Sequence, residues 1–197
     1  MKEQEFIFKE RLMPEDMIID DGEKDKHLQR YEFAGNYVKG KDVLDIACGI
    51  GYGSYILSQS AQNVVGIDKD GKTIEYARRK YKKENLNFIS LDAEKICSYI
   101  NETFDVIISY ETIEHVDNPG KFIASLYKLL RKSGTFILSV PNGLIDEYSS
   151  SLHHKHFFRL RTLKRILKDK FKVEEIYYQY PFKLNKRAIL YLSLIHI

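Results

Sequence analysis

Short apolar runs alternate with amphipathic stretches from residue 41 onward, and the alternation predicts the elements. Lys41–Ala47 (KDVLDIA) reads as a first strand running into glycines, and Tyr52–Gln59 as a helix. Asn63–Asp68 (NVVGID) is a second strand. Thr73–Tyr81 is a second helix, with Ile74, Ala77 and Tyr81 on one face at spacings of three and four. Leu86–Ser90 and Phe104–Ser109 follow as strands, the latter rich in β-branched residues. Asn118-Pro119 opens a helix whose stripe is Phe122, Ile123, Leu126, Leu129 and Leu130. Proline suits the first turn, where its missing N–H is no loss. Ser133-Gly134 ends that helix, with Gly134 expected in the left-handed conformation of a cap. Thr135–Val140 is a fifth strand, stopped by Pro141-Asn142-Gly143. Arg161–Lys168 is a basic helix, and Phe171–Tyr178 a sixth strand.

Strands that alternate with helices, and are apolar along their length, imply an α/β fold. The expected architecture is a doubly wound, Rossmann-like, mostly parallel sheet with helices on both faces. Residues 1–40 stand outside the alternation and are expected to form a helical lid. In it His27, Arg30 and Tyr31 share one face. Residues 41–142 form the cofactor core. Residues 143–191 supply a substrate-side loop, the basic helix and the sixth strand of the same domain.

Composition narrows the class. The chain has 197 residues, enough for one domain with its own core, and is 44% hydrophobic and 30% charged. No apolar run is long enough to span a membrane, and no basic stretch followed by an apolar one suggests a secretory leader. A cytoplasmic location is therefore expected. Two cysteines, Cys48 and Cys97, make no disulfide framework or cysteine-rich metal site, and both read as packing residues. The net charge of +3 divides into +8 over residues 151–197 and −5 over residues 1–150. The basic end reads as a solvated helix face, or as a surface facing an anionic acceptor or a membrane.

In open parallel sheets, ligands bind at the carboxyl ends of the strands. Asp45-Ile46-Ala47-Cys48-Gly49-Ile50-Gly51-Tyr52-Gly53-Ser54 follows the first strand; its glycines allow a tight turn and close approach to a ligand. Asp68 follows the second strand and can accept from both hydroxyls of a ribose. Asp92 follows the third, placed for an adenine amino group or simply as the N-cap of a helix starting at Ala93. Tyr110-Glu111-Thr112-Ile113-Glu114-His115 follows the fourth. Two nucleoside chemistries compete. A dinucleotide fingerprint needs a third glycine where Ser54 stands, and Asp45 would repel a pyrophosphate. The same carboxylate would attract the amino group and sulfonium of S-adenosylmethionine.

Residues ~25–142 resemble a class I S-adenosylmethionine-dependent methyltransferase of the small type 11 kind. VLDIACGIGYGS is similar to the family's first motif, GIDKD to its second and ISLDAEKI to its third. FDVIISYETIEHVDNP is similar to the fourth, and LLRKSGTFILSVPN to the helix, glycine turn and fifth strand. Ala47 departs from the glycine of many members. The resemblance implies S-adenosyl-L-methionine as cofactor. It implies that Asp45 holds the methionine amino group, directly or through water, and that Ala47, Gly49 and Gly51 pass close to the cofactor. Asp68 would bind the ribose, Lys69 would flank the adenine, and Asp92 and the Ala93 N–H would meet the adenine edge. Tyr110 and Glu111 would line the methionine side, and Arg30 or Tyr31 would close over the carboxylate. The last six residues, LSLIHI, read like a translated sequencing adapter. On that reading the family's last antiparallel strand, which belongs between strands five and six, is missing and leaves open edges.

Acceptor activation calls for a general base if the acceptor is a hydroxyl. His115 is the first candidate and His156 the second, with Glu111 and Glu114 behind them. His153, His154 and His156 have no carboxylate or cysteine at ligand spacing, so no metal is expected. HLQRY and ACGIGYGS resemble members found beside glycosyltransferases, which points to a sugar hydroxyl or carboxylate in polysaccharide biosynthesis. The expected partner is a small-molecule or glycan acceptor, anionic if the basic end meets it. No DNA partner is expected, RNA has no recognisable module, and any membrane contact would be peripheral. A nicotinamide-dependent oxidoreductase and an inactive nucleoside-binding protein are the alternatives.

Overall fold

A computed structural model describes residues 21–141, 154–179 and 190–196. Seven strands form one sheet in the order β3-β2-β1-β4-β5-β7-β6. They are β1 (Asp42–Ile46), β2 (Asn63–Asp68), β3 (Leu86–Ser90), β4 (Phe104–Tyr110), β5 (Leu130–Pro141), β6 (Lys172–Gln179) and β7 (Leu190–His196). The helices are α1 (Asp21–Gly35), α2 (Tyr52–Leu57), α3 (Gly71–Lys80), α4 (Pro119–Leu129) and α5 (Leu160–Leu167), with a 3-10 turn at Ala93–Ser98. Among the described residues no helix is long and apolar enough to cross a membrane.

The first five strands pair in parallel, as expected of apolar runs joined by helices. Alternate residues feed two cores. Leu44, Ile107, Phe136 and Leu138 pack with Phe122, Ile123 and Leu126 of α4 and Leu163 and Leu167 of α5. Val43, Val106, Ile108 and Ile137 pack with Tyr31 and Ala34 of α1 and Leu57 of α2. The sheet is thus covered on both faces, and every side chain in that list is under 6% exposed. At about 25 cal/mol per Å² of buried apolar surface, these layers dominate the fold's stability.

Three expectations are corrected. The antiparallel strand thought to be missing is present: residues 190–196 run between β5 and β6, pairing Ile137 with Leu194 and Ile176 with Ser193. The turn after α4 also differs. The helix ends at Leu129, and Ser133, not Gly134, takes the left-handed conformation, with φ +63°. Gly134 is needed for space instead, since a Cβ there would lie 2.8 Å from the Arg131 carbonyl and 2.9 Å from that of Asp105. Ser133 and Gly134 sit within β5 itself, where the pairing register with β4 shifts between Phe104 and Val106. The loop expected over 143–153, with His153, lies outside the described residues.

Candidate functional site

β1 pairs with β2 on one side and β4 on the other, so the chain reverses direction across the sheet there. The carboxyl ends of β1 and β4 therefore flank the crevice where such sheets bind ligands. Three glycines follow β1, and each is required for a different reason. Gly49 has φ +57° and open space where a Cβ would be. Gly51, at φ +85°, would drive a Cβ to 2.6 Å from the Phe88 ring and 2.8 Å from Ala77. Gly53 would drive one to 2.0 Å from the Tyr31 ring. Only the first faces outward; the other two admit an aromatic ring from elsewhere in the fold. Ala47 also takes positive φ, +56°, so the residue that departs from glycine carries backbone strain.

Asp68 ends β2 beside this loop. Its Oδ2 accepts from the Gly49 N–H at 3.0 Å and its Oδ1 from the Asp70 N–H at 3.0 Å. The carboxylate is fixed by backbone donors on both oxygens. Asp92 accepts from the Glu94 N–H at 3.0 Å, so its role as N-cap of the following turn is real. Lys69 and Ala47 are exposed, and Ala93 is half-buried.

Asp45 lies within β1. It is wholly buried, accepting from the Ser54 hydroxyl at 2.6 Å and from the Tyr31 hydroxyl at 3.3 Å. Burial pushes its carboxyl up to about 7. Tyr31 packs edge-on against Tyr52 and Tyr110, at 5.5 and 5.2 Å between ring centres. Burial raises the Tyr31 and Tyr110 hydroxyls well above their ordinary range. The Tyr110 hydroxyl donates to the Arg30 carbonyl at 2.8 Å. Arg30 is 4% exposed, and its guanidinium lies 3.6 Å from Glu111 Oε1.

Glu111 follows β4 at φ +48°. Ser139 holds it there: the Glu111 N–H meets the Ser139 carbonyl at 3.2 Å, and the Ser139 hydroxyl donates to Glu111 Oε1 at 2.7 Å. A second cluster lies beyond. Glu114 is 1% exposed, with His115 Nε2 4.0 Å from its Oε1. His154 crosses from residues 154–159 to lie edge-on to His115 at 4.8 Å. The Lys155 and His156 N–H groups both donate to the Glu114 carbonyl, at 2.8 and 3.1 Å. The His156 ring meets the Val116 carbonyl at 3.0 Å.

A family model described as a methyltransferase domain matches residues 44–138. An S-adenosylmethionine-dependent methyltransferase of Mycolicibacterium smegmatis is 28% identical over 119 residues, 60% of this chain and 45% of that protein. The mitochondrial ubiquinone biosynthesis O-methyltransferase of Dictyostelium discoideum is 31% identical over 136 residues, 62% of this chain and 42% of that protein. The crystal structure of the N-methyltransferase NodS from Bradyrhizobium japonicum, in complex with S-adenosyl-L-homocysteine, superposes with a TM-score of 0.78. It is 16% identical, and the match covers 98% of this chain and 95% of that one. Residues 44–138 are a methyltransferase domain of the class I S-adenosylmethionine-dependent kind. The chain spans about half the length, or less, of the curated relatives it matches.

In this methyltransferase domain Asp68 is tied to the Gly49 backbone, and Arg30 lies against Glu111. Asp45 is buried with Tyr31, whose ring packs on Tyr110. His156 holds the loop that follows residue 154. Its Nε2 meets a carbonyl, which only accepts, so that nitrogen carries the proton and clamps the loop. Ser54, Ser139 and His154 were not singled out as site residues. Ser139 had a signal: it is the one polar residue near the end of the apolar run TFILSV.

Proposed function

We propose that the protein moves a methyl group from S-adenosyl-L-methionine to a small acceptor, with a sugar hydroxyl or carboxylate of a polysaccharide pathway as the acceptor class. One observation carries the cofactor assignment. Gly49 turns its Cβ position toward open space while its N–H is tied to Asp68, so loop and acid present one surface. A ribose fits it: the Asp68 carboxylate can accept from the sugar hydroxyls, and the bare Gly49 backbone admits the sugar. When bound, the cofactor supplies an electrophilic methyl on a cationic sulfur. The S–CH3 bond breaks, the bond to the acceptor forms, S-adenosylhomocysteine leaves, and one proton is released.

This chain's residues align and orient. Arg30, held against Glu111, offers a buried cation to a carboxylate at the methionine end. Asp92 keeps one oxygen on its turn and the other for an amino edge. His115 has a side chain 40% exposed, backed by buried Glu114. An imidazole so placed can take a proton from an acceptor hydroxyl. The resemblance of HLQRY and ACGIGYGS to members beside glycosyltransferases supports a sugar acceptor, and the basic residues of α5 suit an anionic one.

Calorimetric titration with S-adenosylhomocysteine and with NAD tests the reading. Micromolar binding of the sulfur nucleoside is expected, lost by at least about a hundredfold in Asp68→Ala, at ~1.4 kcal/mol per tenfold for two hydrogen bonds to a charged group. Binding of NAD in its place by a folded protein would overturn it.

A further inference from the structure

We infer that Glu114, His115 and His154 form a binding site for a divalent cation of borderline softness, zinc first among them. The observation is a convergence that spacing along the chain conceals. Glu114 and His115 follow β4, and His154 arrives 39 positions after His115. One ligand atom from each lies within 4.8 Å of the other two. Two imidazole nitrogens and one carboxylate oxygen are a donor set that zinc accepts, with a further position left for water or substrate.

Distances decide whether closure is feasible. Zinc bonds of ~2.0–2.2 Å at tetrahedral angles place ligand atoms about 3.3 Å apart. The His115 and Glu114 atoms are already at 4.0 Å, so rotations moving each ring by about an ångström complete the set. The backbone beneath needs no movement, because it is clipped at several points. The Lys155 and His156 N–H groups bond to the Glu114 carbonyl. The His156 ring bonds to the Val116 carbonyl, and Lys155 Nζ donates to Asp117 Oδ1 at 2.5 Å. Glu94 accepts from the N–H groups of Asp117 and Asn118 at 3.0 and 3.1 Å. Ligands held by such a frame lose little freedom on binding. His115 stays partly exposed, which gives an ion and a second molecule a way in. Glu114, by contrast, is a carboxylate taken almost wholly out of water, a state that demands nearby positive charge.

The site stands on the acceptor side of the crevice. An ion there would acidify a hydroxyl bound to it, and His115 would then hold the ion rather than take the proton. That consequence rests on the methyl-transfer reading; the binding of the ion does not.

The untagged full chain, dialysed against micromolar zinc, should retain one equivalent by elemental analysis. With cobalt it should show the visible absorption of a four- or five-coordinate site. His154→Ala and Glu114→Gln should each weaken zinc by more than about tenfold while leaving S-adenosylhomocysteine binding unchanged. The half-buried His154 serves as the variant least able to disturb folding. No retained zinc in the wild type, or zinc retained by the variants, overturns the site. Zinc bound by a chain that ignores S-adenosylhomocysteine would leave the site standing and remove the methyl-transfer reading instead.

Discussion

The two halves of the sheet's carboxyl edge are built over different reaches of chain. On the β1–β3 side, Asp45 and Ser54 are nine residues apart, Gly49 and Asp68 nineteen, and Asp92 and the N–H it caps two. On the β4–β5 side, Glu111 and Ser139 are 28 apart, Lys155 and Asp117 38, and His156 and Val116 40. The β1–β3 half is a set of short loops, each set by its own sequence. The β4–β5 half exists only after distant segments meet. A motif can encode the first, whereas the second depends on which loop arrives.

Titration sharpens the contrast most. Asp45 is raised from 3.8 to about 7 by burial. Between those values the folded chain holds a proton that the unfolded chain has lost, so stability falls as pH rises through the window. Asp45→Asn should gain on wild type by roughly 4 kcal/mol between about pH 4 and about pH 8, at ~1.4 kcal/mol per unit. Urea unfolding at the two ends of that range measures it; parallel curves would show an ordinary carboxyl. Asp117, across the crevice, has the opposite sign. Lys155 holds it below the usual range, so its contribution is present above that range and fades as pH falls.

Next comes the exception to locality, Tyr31 over Gly53. Gly53→Ala should cost about 3 kcal/mol, the upper end for overpacking, because no small shift clears a 2.0 Å contact with a ring. In a Tyr31→Ala background the added cost should fall below about 1 kcal/mol. Equal costs in both backgrounds would detach α1 from the glycine loop. The smallest effect is a gain. Ala47→Gly relieves a left-handed alanine and should stabilise by about 1 kcal/mol or less, net of the entropy glycine adds to the unfolded chain. A lowered denaturation midpoint would contradict it.

Legibility follows the same divide. Five parallel strands, the helix opened by Asn118-Pro119 and the acids ending β2 and β3 could be read because short-range pattern determines them. Asp45 could be read from its place in a motif, but its burial against Tyr31, in a helix before the sheet, could not. Ser133 and Gly134 exchanged roles because the pair lies within a strand rather than at a helix end. The Glu114–His115–His154 cluster was invisible because ligand spacing was sought along the chain.

The position of β7 bears on how the molecule is made. β5 is bonded on one side to β4, which precedes it closely, and on the other to residues 190–196. A chain emerging from the ribosome presents β5 and then β6 before anything can lie between them. Throughout that interval an apolar strand edge is open to other nascent chains. Synthesis slowed before residue 190 should therefore favour aggregation, and a chaperone that shields strand edges should matter most in that interval.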